Sequence, residues 1–204
     1  MESWPIPAGS LTVSEEIKKS RFITLVAHTD GIAAAKAFVE QVRAQHPDAR
    51  HHCWAWVAGA PDDSQQLGFS DDGEPAGTAG KPMLAQLMGS GIGEITVVVV
   101  RYYGGVKLGT GGLVKAYGGG VQLALNQLPT VLKLPLTEYT LQCDYAQLTG
   151  IEALLKQSDG LIVQSEFQAS VSLKVALPRT QLAEFALRLA DFSRGSLHLL
   201  PIEE

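Results

Sequence analysis

Apolar and polar positions along this chain alternate with a period of two in some stretches and at helical spacing in others, and the switches mark its elements. Leu11 to Ile17 and Phe22 to His28 read as two short strands split by the polar run Lys18 to Arg21. Residues 31–45 change to helical spacing, with Ile32, Ala35, Phe38, Val39 and Val42 inward, Asp30 as the expected N-cap and Pro47 as the stop. His52 to Ala58 alternates as a strand. Pro61 to Gly80 is rich in Asp, Gly, Ser and Pro and reads as a long loop with room for one short strand at Leu67 to Ser70. Loops of that length are often functional. Pro82 to Met88 reads as a helix opening at a proline. Ile95 to Val100, apolar and largely β-branched, reads as a buried strand. A helix over 112–127 follows, with Leu113, Tyr117, Val121 and Ala124 on one face. Gly118, Gly119 and Gly120 inside it each cost about 1 kcal/mol relative to alanine, so close packing against the sheet is their expected use.

A boundary falls between Pro129 and Pro135. Beyond it the order is strand (Leu136 to Tyr145), helix (Leu148 to Leu155), a hairpin (Leu161 to Gln168, Ala169 to Leu177), helix (Leu182 to Leu189) and strand (Leu197 to Ile202). That β-α-β-β-α-β order predicts a ferredoxin-like α/β sandwich. The expected domains are residues 1–132 and 135–204.

The segment between the Ile95 strand and its helix holds the candidate chemistry: Arg101, Tyr102, Tyr103, Gly104, Gly105, Lys107, Gly109, Thr110, Gly111, Gly112 and, a turn later, Lys115. A glycine-rich turn entering a helix exposes backbone N–H groups at the positive end of the helix dipole, which suits an anion and most often a phosphate. The alternative is that the glycines only allow a tight turn. The dinucleotide fingerprint is absent, because Val114 stands where its third glycine belongs, and no window matches the P-loop.

Composition adds limits. The chain has 204 residues, 46% hydrophobic and 18% charged, which allows an ordinary core. No apolar run reaches the roughly 18 residues of a membrane span, and the N-terminal stretch has no leader pattern. Cys53 and Cys143 read as reduced, buried thiols of a cytoplasmic protein. Net charge is −5, which weighs against a dedicated DNA-binding protein. Residues 1–133 hold 11 Lys/Arg against 12 Asp/Glu, and residues 134–204 hold 5 against 9. Lys18, Lys19, Arg21, Arg101, Lys107 and Lys115 would make a positive patch if the fold brings them together.

Three runs carry a family resemblance. Arg101-Tyr-Tyr-Gly-Gly-Val-Lys-Leu-Gly resembles the signature of the IMPACT family. Ser70-Asp-Asp-Gly-Glu-Pro-Ala-Gly-Thr-Ala-Gly-Lys-Pro-Met-Leu84 is similar to its second motif, and Lys18-Lys-Ser-Arg-Phe22 to its opening segment. The likeness covers essentially the whole chain and points to the bacterial branch. It implies an α+β first domain like the second domain of ribosomal protein S5, a tail like an elongation-factor domain, and a link to translational control. Eukaryotic relatives carry a different accessory domain at the other end and act by protein–protein contact.

Asp71, Asp72 and Glu74, with Gly73 and Pro75 between and after them, form an acidic motif loop. Grouped carboxylates can hold Mg²⁺ or Ca²⁺, but the EF-hand spacing is missing and Asp-Gly turn chemistry accounts for most of the cluster. No metal, cofactor or catalytic residue is expected. Of His51, His52 and Cys53, only His51 and Cys53 share a strand face, too few ligands for zinc and an awkward pair for proton transfer. Tyr102 or Tyr103 could stack a base, while alternation turns the other inward. Thr78 and Lys81 are expected to add donors beside Lys107. Trp54 and Trp56 share a face and read as packing residues.

The favoured reading is a non-enzymatic binding protein of the translation apparatus that contacts RNA phosphate or the ribosome through the glycine-rich basic loop. The rivals are a Mg²⁺-dependent enzyme acting on a small phosphorylated substrate, with Asp71, Asp72 and Glu74 on the metal, and a docking module for a protein partner. No membrane partner is expected.

Overall fold

The computed structural model describes residues 3–202. Met1 and Glu2, part of the stretch read for a leader, and Glu203 and Glu204 lie outside them. The chain adopts the expected α+β class, in two compact units that divide between Lys133 and Leu134. Among the described residues no helix is long and apolar enough to cross a membrane.

The first unit is built on a five-stranded antiparallel sheet. Its strands are β2 (Leu11–Ile17), β3 (Ser20–His28), β4 (His51–Val57), β5 (Leu67–Ser70) and β6 (Ile95–Tyr102), in the order β2-β3-β6-β4-β5. The central strand β6 is buried along Ile95 to Arg101 because both of its faces are covered. Val98 and Val100 pack with Ala35, Val39 and Val42 of α1 (Ile32–Gln45). Val97 and Val99 pack on the other face, with Met83 and Leu87 of α2 (Gly80–Ser90) and Leu113, Tyr117 and Val121 of α3 (Gly109–Gln127). Each buried Val, Leu or Met side chain among these contributes on the order of 1.5–3 kcal/mol by leaving water. Alternation therefore sends Arg101 toward α2 and α3 and Tyr102 toward α1. The Trp54 and Trp56 rings stack at 4.1 Å on the α1 side, as the packing reading requires.

Several boundaries differ from the sequence reading. Strand β3 begins at Ser20, so Lys18 and Lys19 alone make the turn of a two-residue hairpin. Gly31 rather than Asp30 caps α1, at φ 94°, with no side-chain cap bond. Helix α2 starts at Gly80, which places Pro82 third in its first turn. Helix α3 starts at Gly109, so Gly109, Gly111 and Gly112 are its first turn instead of a preceding loop. Of the three mid-helix glycines only Gly120 shows the expected tight approach. A Cβ there would lie 2.7 Å from Thr24 Oγ1, while Gly119 faces open space. A second, two-stranded sheet pairs β1 (Trp4–Pro7) with β7 (Thr130–Lys133), both hidden among prolines in the sequence.

The second unit holds β8 (Leu136–Cys143), α4 (Leu148–Gln157), β9 (Leu161–Phe167), β10 (Val171–Pro178), α5 (Leu182–Ser193) and β11 (Leu200–Pro201). Its sheet order, β11-β8-β10-β9, is that of the ferredoxin-like sandwich. Tyr139, Leu141, Val171, Leu173 and Val175 meet Ile151, Leu155, Phe185 and Leu189 in its core. The last strand is shorter than Leu197 to Ile202.

Candidate functional site

The acidic motif loop is held by its own turn chemistry. Asp72 and Gly73 occupy the two left-handed positions of a tight turn, at φ 39° and 85°, closed by a hydrogen bond from Glu74 N to the Asp71 carbonyl at 3.0 Å. Its three carboxylates then go three ways. Asp71 accepts from the N–H groups of Gly77, Ala79 and Gly80 at 3.0, 3.1 and 2.9 Å, which places its charge on the N-terminus of α2. Asp72 accepts from His52 N at 2.7 Å and lies 3.6 Å from Arg43. Glu74 turns inward, accepting from Arg101 Nη1 at 3.0 and 2.8 Å and from the Tyr117 hydroxyl at 2.5 Å. The metal set imagined for the enzyme reading does not assemble. Among the described residues no group of three His, Cys, Asp or Glu side chains is arranged to hold an ion.

Arg101 is also placed differently from its expected role. It is only 5% exposed, because it continues the inward face of β6, and its charge is neutralised by Glu74. Ser20 Oγ accepts more distantly from its Nε and Nη2. Cys53 is fully buried and donates to the Asp71 carbonyl at 3.0 Å. Burial, ahead of the nearby Glu74, Asp72 and Asp71 carboxylates, pushes its thiol far above the ordinary range despite an opposing hydrogen bond with Tyr117. It cannot serve as a thiolate nucleophile. Burial likewise holds the Tyr117 phenol neutral, so it acts as a donor to Glu74. His51 is committed as well: Nδ1 donates to the Asp72 carbonyl at 2.8 Å, and Nε2 faces Glu74 Oε1 at 3.3 Å.

Above this buried layer opens a cleft of about 380 Å³. Arg50, His51, Glu74, Pro75, Arg101, Tyr103, Lys107, Leu108, Gly109, Thr110 and Leu113 line it. With Glu74 paired to Arg101, the surplus charge of the lining is that of Arg50 and Lys107, both exposed. The first turn of α3 carries no acidic residue and no side-chain cap bond, so its N–H groups are left for a ligand or water. The Tyr103 ring, 38% exposed, lies 4.8 Å from the Arg50 guanidinium and 5.4 Å from that of Arg101. Tyr102 points the other way, its hydroxyl 2.7 Å from His46 Nδ1.

Of the residues singled out in the sequence, Arg101, Tyr103, Lys107, Gly109, Thr110, Glu74 and Pro75 meet at this cleft. Others do not. Lys115 lines a separate groove with Glu15, Ile17 and Gly119. Thr78 is buried and donates to the Pro75 carbonyl at 2.5 Å, so it offers nothing outward. Lys81 is exposed on α2 and outside the cleft lining. Arg50 was missed. Its place depends on the register that sets His51 opposite Arg101, a long-range pairing with no local signature.

Comparison with known proteins decides the family. Residues 18–125 match the model of the Impact N-terminal domain. The chain belongs to the IMPACT family. Residues 141–196 match a domain of unknown function, DUF1949. The chain is 78% identical over all 204 residues to the IMPACT family member YigZ of Escherichia coli K12, with each chain fully covered. It is 34% identical over 179 residues to the family member YvyE of Bacillus subtilis, covering 88% of this chain and 82% of that one. A crystal structure of a hypothetical protein, 78% identical, matches with a TM-score of 0.79 over 100% of this chain and 99% of that one.

Proposed function

We propose that this chain is a non-enzymatic binding protein of the translation apparatus whose first unit grips RNA phosphate at the cleft beneath Tyr103. One observation carries the reading: Arg50, Lys107 and the uncapped first turn of α3 border the same cleft, beside a half-exposed aromatic ring. Cations and free N–H groups suit a phosphate, and the ring offers a surface for an unstacked base. Contacts of this kind position a strand without reading its sequence. The surrounding chemistry supports binding without catalysis, since His51, Cys53, Asp71 and Glu74 are all spent on structure. The link to translation comes from what the family resemblance implies.

The test is fluorescence anisotropy of a labelled single-stranded oligoribonucleotide across a salt series. The intact chain is compared with a variant carrying Arg50→Glu and Lys107→Glu. Binding that weakens steeply with salt and disappears in the variant is expected. No binding at low salt, or equal binding by the variant, would end this reading.

A further inference from the structure

The Lys18–Lys19 turn has an unusual backbone. Both residues are left-handed, at φ 46° and 65°, the conformation a two-residue hairpin demands and ordinarily fills with Asn-Gly. Each lysine costs of order 1–2 kcal/mol there. Two strained lysines at an exposed turn call for a use.

The turn is also fastened to the glycine-rich segment. Ser20, fully buried, accepts from Gly104 N at 3.3 Å. The Lys19 carbonyl lies 1.9 Å from where a Gly104 Cβ would stand. No side chain fits at Gly104, and Gly105, at φ 88°, has nothing within 4 Å of its Cβ position. The result is a floor of bare backbone. At one end stand Lys18 and Lys19, exposed and in no ion pair among the described residues. At the other stand Lys107 and Arg50. Arg21 adds little, because it lies on the Ile23 face of β3, toward α1 and His46. Two residues, Gly105 and Val106, separate Gly104 from Lys107, so the three chain steps between them span at most about 11 Å.

We infer that RNA held at the cleft continues over the Gly104–Gly105 floor to the Lys18–Lys19 turn, which is a second, outlying phosphate-binding element. This rests on the reading of the cleft given above. A repeating polyanion fits a track of cation, bare backbone and cation. The Tyr103 ring at its inner end favours a nucleic acid over an acidic peptide.

Lys18→Asn combined with Lys19→Gly tests it, because that pair favours the same turn and removes both charges. Thermal melting reports that the fold is kept. The probes are a single-stranded oligouridylate of about ten nucleotides, within the range of known single-strand sites, and a uridine dinucleotide. For the long probe the slope of log K against log salt should become shallower by about 1.4, from two lost contacts at about 0.7 each. Dinucleotide binding should not change. An unchanged slope with intact wild-type binding overturns the track and leaves the cleft reading standing. Absence of binding by the wild type removes both. Polyglutamate competing as well as RNA of equal charge overturns the assignment to a nucleic acid.

Discussion

Glu74 and Arg101, 27 residues apart in sequence, form a buried ion pair in which one carboxylate accepts twice from Nη1, at 3.0 and 2.8 Å. The pair ties the acidic motif loop to the end of β6. Tyr117 donates to the same carboxylate from α3, so three elements converge on one group beneath the cleft floor.

Removing either partner leaves an uncompensated buried charge. Glu74→Ala and Arg101→Ala should each cost about 3–5 kcal/mol. Replacing both by leucine and methionine should recover much of that loss, because an apolar pair of similar volume carries no desolvation penalty. Urea denaturation of the three variants checks this. Single-variant losses below about 1 kcal/mol would show that the pair does not hold the loop.

Gly104 and Gly105 are adjacent, yet alanine should act on them by different means. At Gly104 a Cβ meets the Lys19 backbone, which cannot swing aside without opening the hairpin. A loss of about 3 kcal/mol, the upper end for overpacking, is expected. At Gly105 there is room, and only the left-handed backbone opposes the change, at about 1–2 kcal/mol. Equal losses would contradict the packing of the turn on the loop.

Much of this was open to reading in the sequence, and the misses share a cause. The Ile95 strand was plain because every position from Ile95 to Val100 is apolar or β-branched. The ferredoxin-like order was plain because its helices show clear apolar faces. Strands β1 and β7 were hidden by Pro5, Pro7 and Pro129, which a two-stranded edge ribbon tolerates. At the site, motif residues were recognised while their directions were not. Whether Arg101 faces water or Glu74 depends on the register of β6 against β3 and β4. Lys115 follows Lys107 by eight residues, but the turn of α3 carries it to the Glu15 groove.

Both cysteines are buried, and burial raises both thiols, most strongly Cys53. Neither should react with a thiol reagent at neutral pH in the native state, and both should react once the chain is unfolded. Rapid native labelling of Cys53 would mean that the layer beneath the cleft opens readily.

Acid should destabilise the first unit in two steps. Burial, followed by the charges of His52 and Arg21, lowers the pKa of His46. The unfolded chain therefore takes up a proton at His46 near pH 6.5, before the native state does, and stability falls as pH drops below that value. Glu94 follows lower down. Burial alone would raise its pKa, but Lys133 Nζ at 2.6 Å and His28 Nε2 at 2.8 Å together outweigh it and bring the net value below the ordinary one. A carboxylate held down in this way stabilises the native state above its unfolded pKa. That contribution is lost as pH falls through the lower, folded value. His46→Gln should remove the first step and leave the second. Lys133→Met should lower stability at neutral pH, because Glu94 is 2% exposed and loses its closest cation, and should flatten the second step. Urea midpoints measured from pH 8 to pH 3 separate the two. An acid response unchanged in both variants would assign it to other groups.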